Sequence, residues 1–125
     1  MICQDFLPGP ALREYIRCYH LRHFIFSDPG NIPFKPYAPR TEQTLAFYPR
    51  GHELVEYVAS HKIIKRPHSM IMGQYTERTN RHLGNMDFLT FLVDFQPGVL
   101  FRITRIPFYE LTNTFIGAER RRLRN

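Results

Sequence analysis

The sequence has 125 residues, which is enough for one domain with a hydrophobic core and too few for two. Hydrophobic residues make up 43% of it and aromatic residues 14%, which excludes an intrinsically disordered chain. The formal net charge is +6, but residues 119–125 hold four arginines and one glutamate and so supply +3 of it, a pattern more typical of a solvated terminus than of a DNA-contacting arm. We predict a single domain in residues 1–125, with its core in 6–118 and a basic tail at 119–125.

Composition also bounds the fold class and the location. Ten prolines and seven glycines disfavour long helices and favour short strands joined by turns, so we predict a mainly β fold. No apolar run approaches the roughly 20 residues that a membrane span needs, and the first residues lack the pattern of a secretory signal. We therefore expect a cytoplasmic protein that makes no membrane contact, with Cys3 and Cys18 as free thiols.

The first third of the chain predicts one helix and one strand. From Ala11 onward, apolar residues recur at three- and four-residue spacing through Tyr19, which indicates an amphipathic helix. Residues 19–26 alternate loosely and favour a strand, which the turn-forming residues 27–30 should end. Residues 31–41 contain three prolines and predict an extended connection across the surface or over a sheet edge.

The middle of the chain predicts several short strands. Residues 45–48 form the first, and residues 54–59 are its expected hairpin partner across the turn at 49–51. Residues 62–66 and 70–76 favour further strands. Residues 81–85 are polar and end in Gly84-Asn85, which leads directly into the strong strand at Met86.

Residues 88–113 change character twice. Residues 88–95 are almost all aromatic or β-branched and predict a strand covered on both faces, which Gln96, Pro97 and Gly98 must end in a turn. Residues 99–106 have a helix-like spacing, and Pro107 should begin a second short helix that turns Phe108 and Leu111 toward a core. This strand, turn and pair of short helices predict a closing element rather than a catalytic loop.

Catalytic and metal-site patterns are weak in this sequence. Six histidines are present, but no His-x-His pair and no Cys/His spacing typical of zinc occurs among them. There is no Gly-x-Ser-x-Gly turn, no recognisable carboxylate pair and no glycine-rich phosphate loop. We predict that the protein is not an enzyme and that it has no metal and no cofactor.

Aromatic residues on the predicted strands could line a pocket for a small molecule. A ligand site is usually an apolar cavity with a few polar groups, whereas most strand aromatics simply fill a core, so both interpretations stay open. The candidate ligand-binding residues are Tyr48, Tyr57, Tyr75, Phe91 and Phe95.

Several short motifs are spread over residues 6–118. They are Pro8-x-Pro10-x-Leu12-x-x-Tyr15-Ile16-x-x-Tyr19, Leu45-x-Phe47 followed by Gly51, the strand at Gly73, Phe91-x-Val93-x-Phe95-x-Pro97-Gly98, and Pro107-x-x-Glu110-Leu111-x-Asn113. In their order and spacing they resemble the N-terminal domain of AraC-type transcription regulators. The resemblance implies a cupin-like β-barrel or sandwich with one N-terminal helix and short C-terminal helices. It also implies an unknown small-molecule effector, a homodimer, and control of a helix-turn-helix half that binds promoter DNA.

In that interpretation, Pro97, Gly98, Pro107 and Leu111 form the element that couples the ligand to the DNA-binding half. Residues after Phe115 are too few to supply a recognition helix, so we expect this chain not to bind specific DNA sequences by itself. Two alternatives remain. The chain could be a small basic nucleic-acid-binding module that acts through its arginine-rich tail, or a stand-alone sensor that acts by protein–protein interaction.

Overall fold

The computed structural model describes residues 2–28, 32, 34–84 and 86–117, with the side chains of Phe34 and Lys35 excepted. The described part is mainly β, with ten strands, one short α-helix and one 3-10 turn. The elements are β1 (Ile2–Phe6), β2 (Ile16–Ile25), β3 (Phe34–Tyr37), β4 (Thr44–Arg50), β5 (Glu53–Tyr57), β6 (Lys62–Lys65), β7 (Ser69–Met72), β8 (Thr79–Leu83), β9 (Asp87–Phe95), α1 (Val99–Thr104), the 3-10 turn (Phe108–Glu110) and β10 (Phe115–Gly117). Within these residues, no helix is long and apolar enough to cross a bilayer.

The strands form two antiparallel sheets. A six-stranded sheet has the order β1-β2-β9-β4-β7-β10, and a four-stranded sheet has the order β3-β8-β5-β6. Strand β9 lies in the middle of the large sheet, where it pairs with β2 on one side and β4 on the other. Its run of aromatic and β-branched residues suits a strand that is paired on both edges and covered on both faces.

The main core lies between the two sheets. Side chains alternate along each strand, so that residues two apart point to the same face. In β4 the inward residues Thr44, Ala46 and Tyr48 are buried, and in β5 so are Glu53, Val55 and Tyr57. The hydrophobic members of this core are Ala46, Tyr48, Val55, Tyr57, Met70, Met72, Tyr75, Leu83 and Phe88.

A second core forms on the opposite face of the large sheet. We call residues 96–114, which include α1 and the 3-10 turn, the closing segment. Its buried residues Leu100, Ile106 and Leu111 pack against Ile71, Phe95 and Ile116 of the sheet. Gly98 begins this segment with φ of 81°, a left-handed conformation that glycine adopts without a Cβ penalty. The closing segment therefore covers one end of the sheet's outer face.

The predicted N-terminal helix is wrong. Residues 10–15 form turns, and Ile16 already begins β2. The helix-like feature of these turns is a hydrogen bond from the Ile16 amide to the Leu12 carbonyl, 2.8 Å long. Strand β2 then pairs with β1 on one edge and β9 on the other. This ladder of long-range hydrogen bonds outweighs a local spacing that fits a helix over little more than two turns.

Two other expectations in the middle of the chain are also corrected. Strand β5 does not pair with β4; it belongs to the other sheet, between β6 and β8. Residues 81–83 of the polar segment, to which the sequence assigned no strand, lie in strand β8, whose inward residues Thr79, Arg81 and Leu83 are all buried. The strand was missed because a buried arginine in sequence looks like a solvent-exposed one.

The second short helix after Pro107 is only a three-residue 3-10 turn. Leu111 reaches the core, where it is 0% exposed, but Phe108 is 56% exposed and does not. The segment ends instead in β10, which pairs with β7 and places Phe115 against the main core. The basic tail at 119–125, like part of the turn at 27–30, lies outside the described residues.

Candidate functional site

A cavity of about 180 Å³ lies between the two sheets, and we call it the inter-sheet cavity. Its lining combines apolar side chains with polar ones, three of which are arginines. Its lining residues are His20, Arg22, Phe24, Tyr37, Arg40, Tyr48, Glu53, Arg81, Leu83, Phe88, Thr90 and Leu92. Both sheets contribute, because inward positions of β2, β4 and β9 face inward positions of β5 and β8.

A buried polar network lies beside this cavity. The Arg66 guanidinium, whose side chain is 0% exposed, donates to the Glu53 carboxylate and, over 3.1 Å, to the hydroxyl of Tyr75. The Tyr48 hydroxyl donates to the same carboxylate over 3.2 Å. Burial alone would lower the pKa of Arg66, but the Glu53 charge and the two tyrosines raise it by more. The pKa is therefore raised overall, and the guanidinium stays charged. Burial, followed by the Glu53 charge, raises the pKa of Tyr48, which therefore stays neutral.

A second network is centred on Asp94, a buried carboxylate in β9. Thr44 Oγ1 donates to it over 2.6 Å, and His20 Nε2 lies 2.8 Å from its Oδ2. Arg40 Nη2 donates to the same Oδ2 over 3.4 Å. His20 Nδ1 lies 2.7 Å from Asp5, which Arg22 also contacts at 2.8 Å. Arg40 and Arg22 thus both face the cavity with carboxylates already beside them.

Arg81 is the exception among the cavity arginines. It is 5% exposed, and its Nε atom has no hydrogen-bond partner in the part of the chain that the structure describes. Its guanidinium lies over the ring of Tyr37, 3.9 Å from the ring centre, as a cation–π pair. Burial, reinforced by the charge of Arg66, lowers the pKa of Arg81. Glu53 favours the charged form but is bonded to Arg66, so Arg81 has no carboxylate of its own among the described residues.

A larger cleft of about 680 Å³ opens between the closing segment and the large sheet. Phe95, Pro97, Gly98 and Pro107 line it, and its remaining walls come from the chain before β4, from the chain just after β7 and from the closing segment. Those further lining residues are Arg17, Thr41, Glu42, Gln43, Gln74, Gln96, Phe101, Phe108 and Tyr109. We call this the closing cleft.

An ion-pair chain joins the two cavities. In the closing cleft, Arg17 Nη1 lies 3.2 Å from Glu42 Oε1. The other Glu42 oxygen lies 3.4 Å from Nε of Arg40, which faces the inter-sheet cavity and also contacts Asp94. Two backbone hydrogen bonds between Arg40 and Tyr75, of 2.9 and 2.8 Å, fix this arginine in place. A change at Arg40 therefore reaches groups in both cavities.

The five predicted ligand-binding aromatics are not brought together. Tyr48 lines the inter-sheet cavity and Phe95 lines the closing cleft. Tyr57 and Tyr75 are buried in the main core, with ring centres 6.2 Å apart. Phe91 stacks on Tyr19 at 5.8 Å and lines neither cavity.

The predicted coupling residues lie close together. Pro97, Gly98 and Pro107 line the closing cleft, and Leu111 is buried in the second core. Sequence reasoning missed the charged residues Arg40, Glu53, Arg66 and Arg81. One signal was available: charged residues at alternate positions of strands whose other residues are apolar, as in Glu53-x-Val55-x-Tyr57.

The described residues contain no group of three or more His, Cys, Asp or Glu side chains that could hold a metal ion. Two histidines contact carboxylates instead: His20 lies beside Asp5 and Asp94, and His23 Nε2 lies 2.9 Å from Asp87. Both cysteines are free thiols.

Comparison with known proteins gives a family but no described activity. No curated protein and no solved structure matches the chain. A family model with the description "Domain of unknown function (DUF6597)" matches residues 4–117. Since this match covers most of the sequence, the chain belongs to that family of domains.

Proposed function

We propose that this chain is the effector-binding domain of an AraC-type transcription regulator, with a cupin-like arrangement of its two sheets. The motifs that resemble this class run through the chain, and the antiparallel sandwich is the architecture that the resemblance implies. In this proposal a small molecule binds in the domain and alters the closing segment. That segment controls a helix-turn-helix half.

One observation carries the proposal: two cavities are joined by one chain of ion pairs. The effector occupies the inter-sheet cavity, where Arg40 is within reach of it. A ligand that attracts Arg40 weakens its contacts with Glu42 and Asp94, and Glu42 forms part of the wall of the closing cleft. Ligand binding can shift a conformational equilibrium only through such differential contacts.

The closing segment has a surface suited to contact with the DNA-binding half. Its buried residues hold it against the sheet, while large apolar side chains face outward. Phe101 is 42% exposed, Ile103 63% and Tyr109 68%. A cluster of exposed apolar side chains is typical of a surface that another domain covers. We propose that the DNA-binding half packs here, and that the effector changes how well it does so.

The test uses a tryptophan as a reporter, because the chain has none. In Phe108→Trp the new side chain lies in the closing cleft. Compounds are first screened for those that raise the melting temperature, since a ligand at 100 times its Kd adds about 2.7 kcal/mol to the free energy of unfolding. We expect such a compound to change the fluorescence emission of the introduced tryptophan at the same concentrations. The matched control is Ile63→Trp on β6, which is exposed and lines neither cavity.

Two results would reject the proposal. One is a broad screen in which no compound raises the melting temperature. The other is a bound compound that leaves the emission of the Phe108→Trp variant unchanged. Deleting residues 120–125 addresses the nucleic-acid alternative, which requires that deletion to abolish a salt-sensitive association with duplex DNA. The stand-alone sensor alternative shares the same domain and differs in acting on another protein, and the predicted homodimer is measured by light scattering.

A further inference from the structure

The inter-sheet cavity has a charge imbalance that identifies its ligand class. Three arginines face it, and two of them have carboxylates beside them: Arg22 contacts Asp5, and Arg40 contacts Glu42 and Asp94. Arg81 lies over the ring of Tyr37, and its Nε is buried without a partner among the described residues. The nearby Glu53 carboxylate favours the charged form of Arg81 but is itself bonded to Arg66. A buried cation without a counter-charge is costly to a fold unless an anion completes it.

The position of Arg81 suits an incoming anion. The side chain projects inward from β8, on the same face as Leu83, and both residues line the cavity. The carbon at the centre of the guanidinium lies 3.9 Å from the centre of the Tyr37 ring, and the Nε atom is buried without a hydrogen-bond partner among the described residues. A planar set of donors in this arrangement matches the two oxygens of a carboxylate.

The cavity is small, and part of its wall is apolar. Phe24, Leu83, Phe88 and Leu92 form that part, beside polar groups that include Thr90 and the Glu53 carboxylate, which is bonded to Arg66. Its volume is about 180 Å³. For comparison, an apolar cavity of about 150 Å³ accommodates benzene. The space therefore suits a short apolar body beside the charged group, and it is too small for a long acyl chain.

We infer that the inter-sheet cavity binds a small monocarboxylate with an apolar body of about three to six carbons, whose carboxylate pairs with Arg81. The ligand supplies the counter-charge that the described chain itself does not provide. Its apolar body packs against Phe88 and Leu92. The inference rests on the proposed function only in calling this ligand the effector; the binding itself requires no DNA and no second domain.

The test is calorimetric titration of the unmodified chain with butyrate and with its neutral amide, butyramide. The two have nearly the same shape, so a difference between them measures the charge. We expect butyrate to bind at one site and butyramide to bind at least about 30-fold more weakly, the loss typical of removing one partner of a buried charge pair. Acetate should bind about tenfold more weakly than butyrate, because it lacks two methylene groups.

Variants locate the site. Arg81→Met keeps the length of the side chain and removes the charge, and we expect it to lose butyrate binding while its melting temperature without ligand does not fall. Arg81→Lys keeps a charge without the planar donors and should bind with intermediate affinity. The control is Arg78→Met, at an arginine outside β8 that does not line the cavity. It should bind like the unmodified chain.

Several results would overturn the inference. They are no binding of butyrate at millimolar concentration, equal binding of butyrate and butyramide, equal binding by sulfate, or unchanged binding in Arg81→Met. Failure of the proposed function looks different. If butyrate binds through Arg81 but leaves the emission of the Phe108→Trp variant unchanged, the ligand class stands and the regulatory role falls. If another compound changes that emission while butyrate does not bind, the reverse holds.

Discussion

The carboxylate of Glu53 and the guanidinium of Arg66 form an ion pair inside the protein, with side-chain exposures of 7% and 0%. Glu53 lies on β5 and Arg66 directly follows β6, so the pair joins neighbouring strands of the small sheet. A backbone hydrogen bond of 2.9 Å from the Arg66 amide to the Glu53 carbonyl reinforces it. Such a pair makes each partner depend on the other, because either charge alone would be buried without compensation.

Glu53→Gln should therefore destabilise the protein strongly. The change leaves the Arg66 charge buried with only neutral acceptors beside it, and we expect a loss of about 3–5 kcal/mol in the free energy of unfolding. Urea denaturation measures it. Glu56→Gln on the same strand is the control: Glu56 is only partly buried and contacts Asn80, so its loss should stay below about 1 kcal/mol. Equal losses would show that the pair does not stabilise the fold.

Leu111→Ala should loosen the closing segment. Leu111 is fully buried in the second core, and truncating such a side chain costs about 2–5 kcal/mol. Phe108→Ala is the matched control, because Phe108 is largely exposed and its removal should change stability by no more than about 0.5 kcal/mol. Thermal unfolding of the two variants separates them. A larger loss for Phe108→Ala would mean that the segment is held through the cleft instead.

Gly73→Ala tests how closely the closing segment approaches the sheet. A Cβ at Gly73 would collide with the backbone carbonyl of Leu111, which cannot move without disturbing the second core. We expect a loss of about 1–3 kcal/mol, as for overpacking elsewhere in protein cores. At Gly9 a Cβ would meet no other atom within 4 Å, so Gly9→Ala should be neutral. Denaturation midpoints that fall equally for both substitutions would contradict the close contact.

Acid should weaken a surface contact at Asp87. The hydrogen bond from His23, with a further contribution from Arg50, holds the pKa of Asp87 below its usual value of 3.8. A folded-state pKa below the unfolded one means that this contribution to stability is present above about pH 4 and is lost as the pH falls through the folded value. We expect Asp87→Asn to melt at a lower temperature than the unmodified chain near neutral pH.

That difference should shrink as the pH falls below about 4 and through the folded-state pKa of Asp87, because the carboxylate is then protonated in both states. Glu110→Gln, at an exposed carboxylate on the 3-10 turn, is the control for a general effect of removing a charge. The melting temperatures of both variants and of the unmodified chain, measured across the acid range, test this prediction. A difference in melting temperature for Asp87→Asn that does not depend on pH would show that protonation of Asp87 does not affect stability.

The sequence predicted the fold class well and the individual pairings less well. Strand β9 was predictable because its residues from Phe88 to Phe95 favour a covered strand whatever their partners are. The helix predicted at Ala11 failed because Tyr15, Ile16 and Tyr19 suit a helix spacing and a strand equally. Only the pairing of Tyr19 with Val93, far away in the chain, decides between them. Local sequence carries no information about such a partner.

Some residues of the candidate site were likewise predictable from the sequence, and others were not. Phe95, Pro97 and Pro107 reach one cleft because a strand, a turn and a short helix that follow directly along the chain stay close in space. Phe91 lines neither cavity, because strand residues alternate between two faces and the sequence does not say which face lies inside. Arg81 could not be identified at all: its significance comes from a counter-charge missing among the described residues, which only the folded arrangement reveals.

The closing segment is attached to the second core at three points and exposed between them. Leu100 is buried at its start, Ile106 in its middle and Leu111 at its end, whereas Phe101, Phe108 and Tyr109 remain on the cleft side. The cleft can therefore change shape through these three exposed side chains while the core contacts stay in place. The rotamers of the exposed aromatic residues, rather than a movement of the sandwich, set the size of molecule that the cleft can enclose.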